Sequence, residues 1–363
     1  PSGDPNSGIM LGAGMSRSMN PNLEPLMELW DAGALMVSPA TQFSGSNRSH
    51  FDCQRWIGNG MESNLVDGYL NRFLQDASGG NHPLRGLVAG KGSMSQELFG
   101  EISVPVINRQ SDFNLSNQDF CSGNGCADNQ LTEIMTQIAS HPVQLPEMEE
   151  AVRDTQMVMI ESIAEVQMAG ADYTPDAGGL DYSNRDIGRG LKLMAQLLKA
   201  GVPIEVAALD WNIGWDSHSG QVQDIANPII DQEVGYNRNM RGGAVDFVTF
   251  FRDMGPLLND VVVLVCTEFG RTVKENGSRG TDHGHGSTWF AFGGPTIGGM
   301  ADDVPNLAEE NLIRDRYVPV VIEYKDIVAE IMIRHMGLPE NLVSTIFPGH
   351  TFTNHSLFAG GSV

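Results

Sequence analysis

The sequence predicts an α/β protein built on a mainly parallel, doubly wound sheet with helices on both faces, and three observations predict it. Helical stretches alternate with short, fully apolar strands through the second half of the chain. Such strands read as buried on both faces rather than half exposed. The polar, glycine-containing segments begin where predicted strands end, which is where open α/β sheets bind ligands.

In chain order, Asn22 to Ala32 carries Leu23, Leu26, Met27 and Trp30 at helical spacing and feeds, after Gly33, the apolar run Ala34 to Val37, a strand. Met61 to Gln75 reads as helix and Gly86 to Ala89 as a short buried strand. Ser93 to Asn129 is irregular and rich in Asn, Ser and Gly, which predicts a surface excursion. Pro146 to Met168 predicts the longest helix, opened by Pro-Glu-Met-Glu-Glu, whose carboxylates suit the N-terminal dipole. Arg189 to Ala200 predicts a helix ended by Gly201, and Pro203 to Leu209 a strand running into the polar loop Asp210 to Gln221. Gly243 to Met254 follows as helix, Val261 to Thr267 as a β-branched strand and Trp289 to Phe292 as another. The 203–209 and 261–267 strands are expected to be near neighbours, delivering their polar clusters at the same end. One domain is expected over 1–363, with no internal repeat.

The chain has 363 residues, 41% of them hydrophobic, enough for one large core. Its 45 acidic against 22 basic side chains give a formal net charge of -23, which repels phosphate backbones and anionic lipid surfaces. The charge therefore argues against nucleic-acid or membrane-surface binding, while leaving room for a local basic pocket that holds an anionic substrate, and no apolar run approaches the length of a membrane span. Cys121 and Cys126 flank Ser-Gly-Asn-Gly and are spaced for a small disulfide if the protein is exported. Cys53 and Cys266 read as core thiols.

Two clusters carry the chemistry. Asp210-Trp211-Asn212-Ile213-Gly214-Trp215-Asp216-Ser217-His218 follows the first of these strands. Thr267-Glu268-Phe269-Gly270-Arg271-Thr272, then Gly280-Thr281-Asp282-His283-Gly284-His285-Gly286, follows the second. Carboxylates and imidazoles together suit divalent metals of the zinc, manganese or iron type, and the glycines let backbone pass close to an ion. Against this stand plainer roles: Asp216 and Asp282 as turn caps, and His218 as a satisfied loop histidine.

Asn47-Arg48-Ser49-His50-Phe51-Asp52, Gly214-Trp215-Asp216-Ser217-His218, Thr267-Glu268-Phe269-Gly270-Arg271-Thr272 and Gly280-Thr281-Asp282-His283-Gly284 resemble the ordered signatures of a bacterial domain-of-unknown-function family, number 1501. That family is commonly exported by the twin-arginine route and is placed with the alkaline phosphatases and arylsulfatases. The resemblance runs from about Asn20 to Phe347-Pro348-Gly349 and Leu357-Phe358. It implies a periplasmic or secreted metal-dependent hydrolase of phosphate or sulfate esters, acting on a small anionic substrate. The metal implied is zinc first, with manganese, calcium or magnesium as alternatives.

By the same resemblance Asp216 and His218 form one metal pair and Asp282 with His283 the other. Glu268 stands where the superfamily often has an aspartate ligand, and His285 is an accessory or ester-contacting histidine. Ser49 is the nucleophile, ahead of a helix expected near His50 and followed by Trp56 and Gly58; its plain role would be an N-cap. Arg271 or Arg48 would clamp the ester oxygens, Arg271's plain role being a structural ion pair. The family opens with a strand ending in a Gly-rich, Asp-containing metal motif, and no such strand precedes Pro1, so the first strand is expected to be missing; Asp4 is not given its role. The competing class is a non-catalytic exported binding or structural protein that keeps the fold. A calcium-dependent, lectin-like protein would use oxygen ligands alone and leave the histidines unexplained.

Overall fold

A computed structural model of the chain describes residues 8–12, 17–45, 47–62, 67–77, 79–110, 147–170, 173–221, 236–301 and 306–360. The Cys121 and Cys126 pair lies outside the described residues, as does the 111–129 part of the expected excursion.

Ile9–Met10 (β1) pairs antiparallel with Ser18–Met19 (β2). The helix expected from Asn22 divides into a 3-10 stretch, Pro21–Leu26, and a short α-helix, Met27–Asp31 (α1). The side chain of Asn20 caps the first by accepting from Asn22 N. β3 (Leu35–Gln42) runs further than the predicted 34–37 strand. Pro39 brings no N–H and Ala40 takes a φ of 60°, so the ladder slips between Ser38 and Thr41. The Ser38 and Thr41 hydroxyls, 2.6 Å apart, satisfy each other across the slip.

α2 (His50–Asn59) begins after Ser49 and stops at Gly60, whose φ of 74° lets Met61 N bond back to Trp56 O. Met61 therefore closes one helix instead of opening the next, and the helix expected from it is Tyr69–Asp76 (α3). β4 (Gly86–Ala89) is as predicted. Within the expected excursion, Val106–Ile107 (β5) adds a parallel strand to β4, because its apolar pair finds an open ladder edge there. Further helices are α4 (Glu147–Gly170) and α5 (Asp186–Lys199), each close to its expected span, and α6 (Tyr236–Met254), which begins seven residues before the expected Gly243. α7 (Tyr324–Arg334) and α8 (Val343–Ile346) were not expected.

The strands form a mixed α/β arrangement. β5, β4 and β6 (Val206–Leu209) make a wholly parallel sheet. In the second sheet β8 (Ser287–Phe292) lies antiparallel between β3 and β7 (Val263–Val265). β9 (Gly299–Met300) and β10 (Ile322–Glu323) pair in parallel with the other edge of β3. The 203–209 and 261–267 strands, expected as near neighbours, are edge strands of different sheets, β6 in one and β7 in the other, because apolarity does not name a strand's partner. The same edge position corrects Cys266, which follows β7 and is exposed instead of buried; Cys53 is in the core as expected.

Alternate strand residues feed different cores, so both faces of the sheets are covered. Leu87, Ala89, Phe290 and Phe292 pack with α5 and α6 residues such as Leu191, Leu197, Phe247 and Phe250. Val88, Val206, Ala208 and Trp289 face the opposite core with Phe73, Tyr324, Val328 and Phe347. Buried carboxylates fasten the surrounding loops. Asp253, its side chain fully buried, accepts from Tyr173, Tyr182, Lys199 Nζ and Asp176 N. Asp326 holds His350 Nε2 at 2.8 Å and Thr353 N at 2.9 Å, while Glu330 accepts from the amides of His355, Leu357 and Phe358. α7 thereby pins the segment 350–358 to the core.

Candidate functional site

Although β6 and β7 do not pair, the loops that follow them are stitched together by backbone bonds. Gly220 N bonds Ser278 O, Gln221 N bonds Arg279 O and Thr281 N bonds Ser217 O. The second loop also folds on itself: Gly270 N to His285 O, Thr272 N to Asp282 O and Gly284 N to Gly270 O set Arg271 opposite His283. Glycine is needed at 280, where a Cβ would lie 2.3 Å from the carbonyl carbon of His218. The two polar motifs are thus brought face to face.

Their meeting point is one oxygen of Asp216. His283 Nε2 and His218 Nε2 each stand 2.9 Å from Asp216 Oδ1, Arg271 Nη1 stands 2.6 Å away and His50 Nε2 3.4 Å away. Burial opposes ionisation of this carboxyl, but Arg271 and the three imidazoles outweigh it and hold Asp216 well below the usual carboxylate range. Side-chain exposure of 46% for Asp216 and 47% for His218 makes this a site at the surface and not a core-facing one.

Each imidazole is held by its other nitrogen. His50 Nδ1 meets Glu268 Oε1 at 2.6 Å, His218 Nδ1 meets Asp282 Oδ1 at 3.3 Å and His283 Nδ1 meets the Arg48 carbonyl at 2.7 Å. A carbonyl or ionised carboxylate only accepts, so each Nδ1 carries a proton and each ring turns its Nε2 edge toward Asp216. Three imidazole nitrogens and a carboxylate oxygen at these separations are donor atoms of the kind a divalent cation takes. His50 Nε2 is buried without a hydrogen-bond partner, and the ligand atoms of His50, Asp216 and His283 all lie within 4.8 Å of one another. A nitrogen-rich set with one carboxylate suits zinc and its neighbours. Among the described residues no other group of three or more His, Cys, Asp and Glu side chains is drawn together as tightly.

Of the residues singled out in the sequence, Asp216, His218, Asp282 and His283 are in mutual contact, and Glu268 joins them through His50. Glu268 also accepts from Gln54 Nε2; burial would raise its pKa, but its hydrogen bonds lower it. Asp282 is bound by Asn276 and Arg316, which with His218 lower its pKa. His285 turns away, its ring edge-on to Tyr317 with centroids 5.3 Å apart. Burial, then the charges of Arg48 and Arg314, lower its pKa. Arg271 spends its guanidinium on Asp216 and on the side chain and carbonyl of Thr281. Ser49 is the N-cap of α2, its Oγ accepting from Asp52 N at 3.5 Å, between two residues that both reach the cluster.

The residue that sequence reasoning missed is His50. Its signal was available: it is the first residue of a helix whose cap is Ser49, so a site near Ser49 includes the imidazole next to it. Phe269, buried, underlies the cluster, its ring 4.7 Å from that of His50 and 4.8 Å from that of His283.

Fold and site together define a mixed α/β protein with a surface carboxylate–histidine centre at its strand-end loops. The chain belongs to the family described as Protein of unknown function (DUF1501), which matches residues 37–347 and so takes in all of these loops. No curated protein and no solved structure matches the chain.

Proposed function

We propose that the chain is a metal-dependent hydrolase of phosphate or sulfate esters, arranged as in the alkaline phosphatases and sulfatases, with zinc as the resident metal. One observation carries this reading: three imidazoles, each fixed through Nδ1 by an acceptor, turn Nε2 onto a single carboxylate oxygen. His50, Asp216 and His283 would hold the ion, with His218 as the adjacent donor. A bound divalent ion of this type polarises an ester oxygen and lowers the pKa of an attacking hydroxyl.

The protein's own groups supply the rest. Glu268, Asp282 and the Arg48 carbonyl orient the imidazoles, the outer-shell role that sets ligand basicity. Ser49, in the proposed role of nucleophile, sits at the N-terminus of the 10-residue α2, where the helix dipole favours an anionic ester. Arg271 holds Asp216 in place rather than reaching for substrate. Support for export comes from the family resemblance, and no described helix is long and apolar enough to cross a membrane.

The test is hydrolysis of p-nitrophenyl phosphate and p-nitrophenyl sulfate by the zinc-loaded chain, compared with His283→Ala and Ser49→Ala. Turnover that needs His283 and is greatly reduced without Ser49 supports the reading. Stoichiometric zinc with no turnover of either ester would instead mark a non-catalytic binding protein.

A further inference from the structure

Next to the Asp216 centre lies a cluster that the proposed chemistry does not use. The ring of Tyr317 is buried among basic groups: the Arg48 guanidinium carbon is 4.6 Å from its centroid, that of Arg316 is 5.7 Å away, and His285 meets it edge-on. Arg314 and Arg316 project from a tight turn closed by the Ile313 to Tyr317 bridge, and both are exposed. Arg48 has a φ of 66° and Arg314 one of 52°, left-handed backbone that is costly for a long side chain and persists where the surroundings enforce it. The cluster adjoins the centre directly, because the Arg48 carbonyl bonds His283 and Arg316 bonds Asp282.

The charge distribution makes this patch informative. A chain with a formal net charge of -23 has only 22 Lys and Arg residues to place, yet two arginines share one aromatic ring beside its candidate centre and Arg314 lies on the adjoining turn. A purely structural arginine neutralises a carboxylate, as Arg252 does for Glu28, Arg241 for Glu24 and Arg316 for Asp282. Arg48 instead stacks on a π face, which fixes the guanidinium plane and leaves its N–H edge for an oxyanion.

We propose that Arg48, stacked on Tyr317, and Arg314, on the turn beside it, form a second anion subsite that selects substrates carrying another phosphate-type or sulfate-type group beside the ester at the Asp216 centre. The substrate class is then a small polyanionic ester rather than a simple monoester. This rests on the hydrolase reading for the role of the neighbouring centre and adds to it the basis of selection.

Equilibrium binding of phosphonates tests it, because their carbon–phosphorus bond is not an ester and survives the proposed chemistry. Methylphosphonate is compared with α,ω-alkane bisphosphonates of increasing methylene spacer, on the zinc-loaded full chain at fixed ionic strength. The wild type is expected to bind its best bisphosphonate about ten-fold more tightly than methylphosphonate, a gain in the range of a pair of charge-assisted bonds. Arg48→Asn with Arg314→Asn is expected to remove that preference, and Arg314→Asn alone to reduce it while leaving methylphosphonate affinity unchanged. Asparagine tolerates left-handed backbone, so the fold should persist, and an unchanged melting curve verifies it.

Equal wild-type affinities, or a preference that survives both substitutions, would overturn the subsite. Bisphosphonate binding that depends on Arg48 and Arg314 without any methylphosphonate binding would keep the subsite and remove the ester centre. Methylphosphonate binding with no bisphosphonate gain would do the reverse, and absence of binding by either probe would remove both.

Discussion

Replacing Asp216 by alanine separates the two jobs its carboxylate can do, because they differ in size. Without metal, Asp216 Oδ1 is tied to Arg271 Nη1 at 2.6 Å and to His283 Nε2 at 2.9 Å, but the side chain is 46% exposed. Water screens pairs at such exposure to about 0–1 kcal/mol each, so metal-free Asp216→Ala should lose only about 1–2 kcal/mol. With free zinc at about a hundred times its dissociation constant, a site present only in the folded chain adds about 2.7 kcal/mol. The alanine variant removes the anion on which the three Nε2 atoms converge and should lose nearly all of that gain. Thermal unfolding of both proteins, each in zinc and in chelator, reads the two terms separately. The expected pattern is similar melting temperatures in chelator and a zinc-dependent rise of a few degrees in the wild type alone. No rise in the wild type, or an equal rise in the variant, would refute the argument.

Three further outcomes follow from the geometry. Gly280→Ala removes no ligand, yet its Cβ would meet the His218 carbonyl carbon at 2.3 Å, so zinc uptake measured by metal analysis should fall while the two sheets keep their circular dichroism. Asp253→Ala strands two tyrosine hydroxyls, an amide and Lys199 around a fully buried position and should cost about 3–5 kcal/mol in urea unfolding; a loss under about 1 kcal/mol would show that the network is not structural. Burial would raise the pKa of Asp326, but bonds from His350, Thr353 N and His355 outweigh it and lower the folded value. Its stabilisation is therefore complete above the unfolded pKa of about 4 and is lost as pH falls through the folded value. Amide exchange across 350–358 should accordingly accelerate below about pH 4, earlier than exchange in the core strand β8.

Much of the local structure was legible because it depends on local pattern. The apolar runs that became β4, β6 and β8, and the periodic stretches that became α5 and α6, bury the residues their spacing assigned to the inside. The motif after Leu209 and the two after Val265 also announced which carboxylates and imidazoles would stand at strand ends. Ser49 was readable as the cap of α2 because capping is decided within a single turn.

What the sequence left open depended on groups far apart in the chain. Apolarity reports that a strand is buried but not its direction or partner, so nothing local foretold that β8 would run antiparallel between β3 and β7. Tautomers are fixed by distant acceptors: His50 is oriented by Glu268 and His283 by the carbonyl of Arg48, more than two hundred residues away in both cases. His285 shares a motif with His283 yet turns to Tyr317, because its environment is set by the 313–317 turn and not by its neighbours in sequence. The residue types available for a metal centre were written in the chain, but which nitrogen faces which oxygen was decided only when the loops folded against one another.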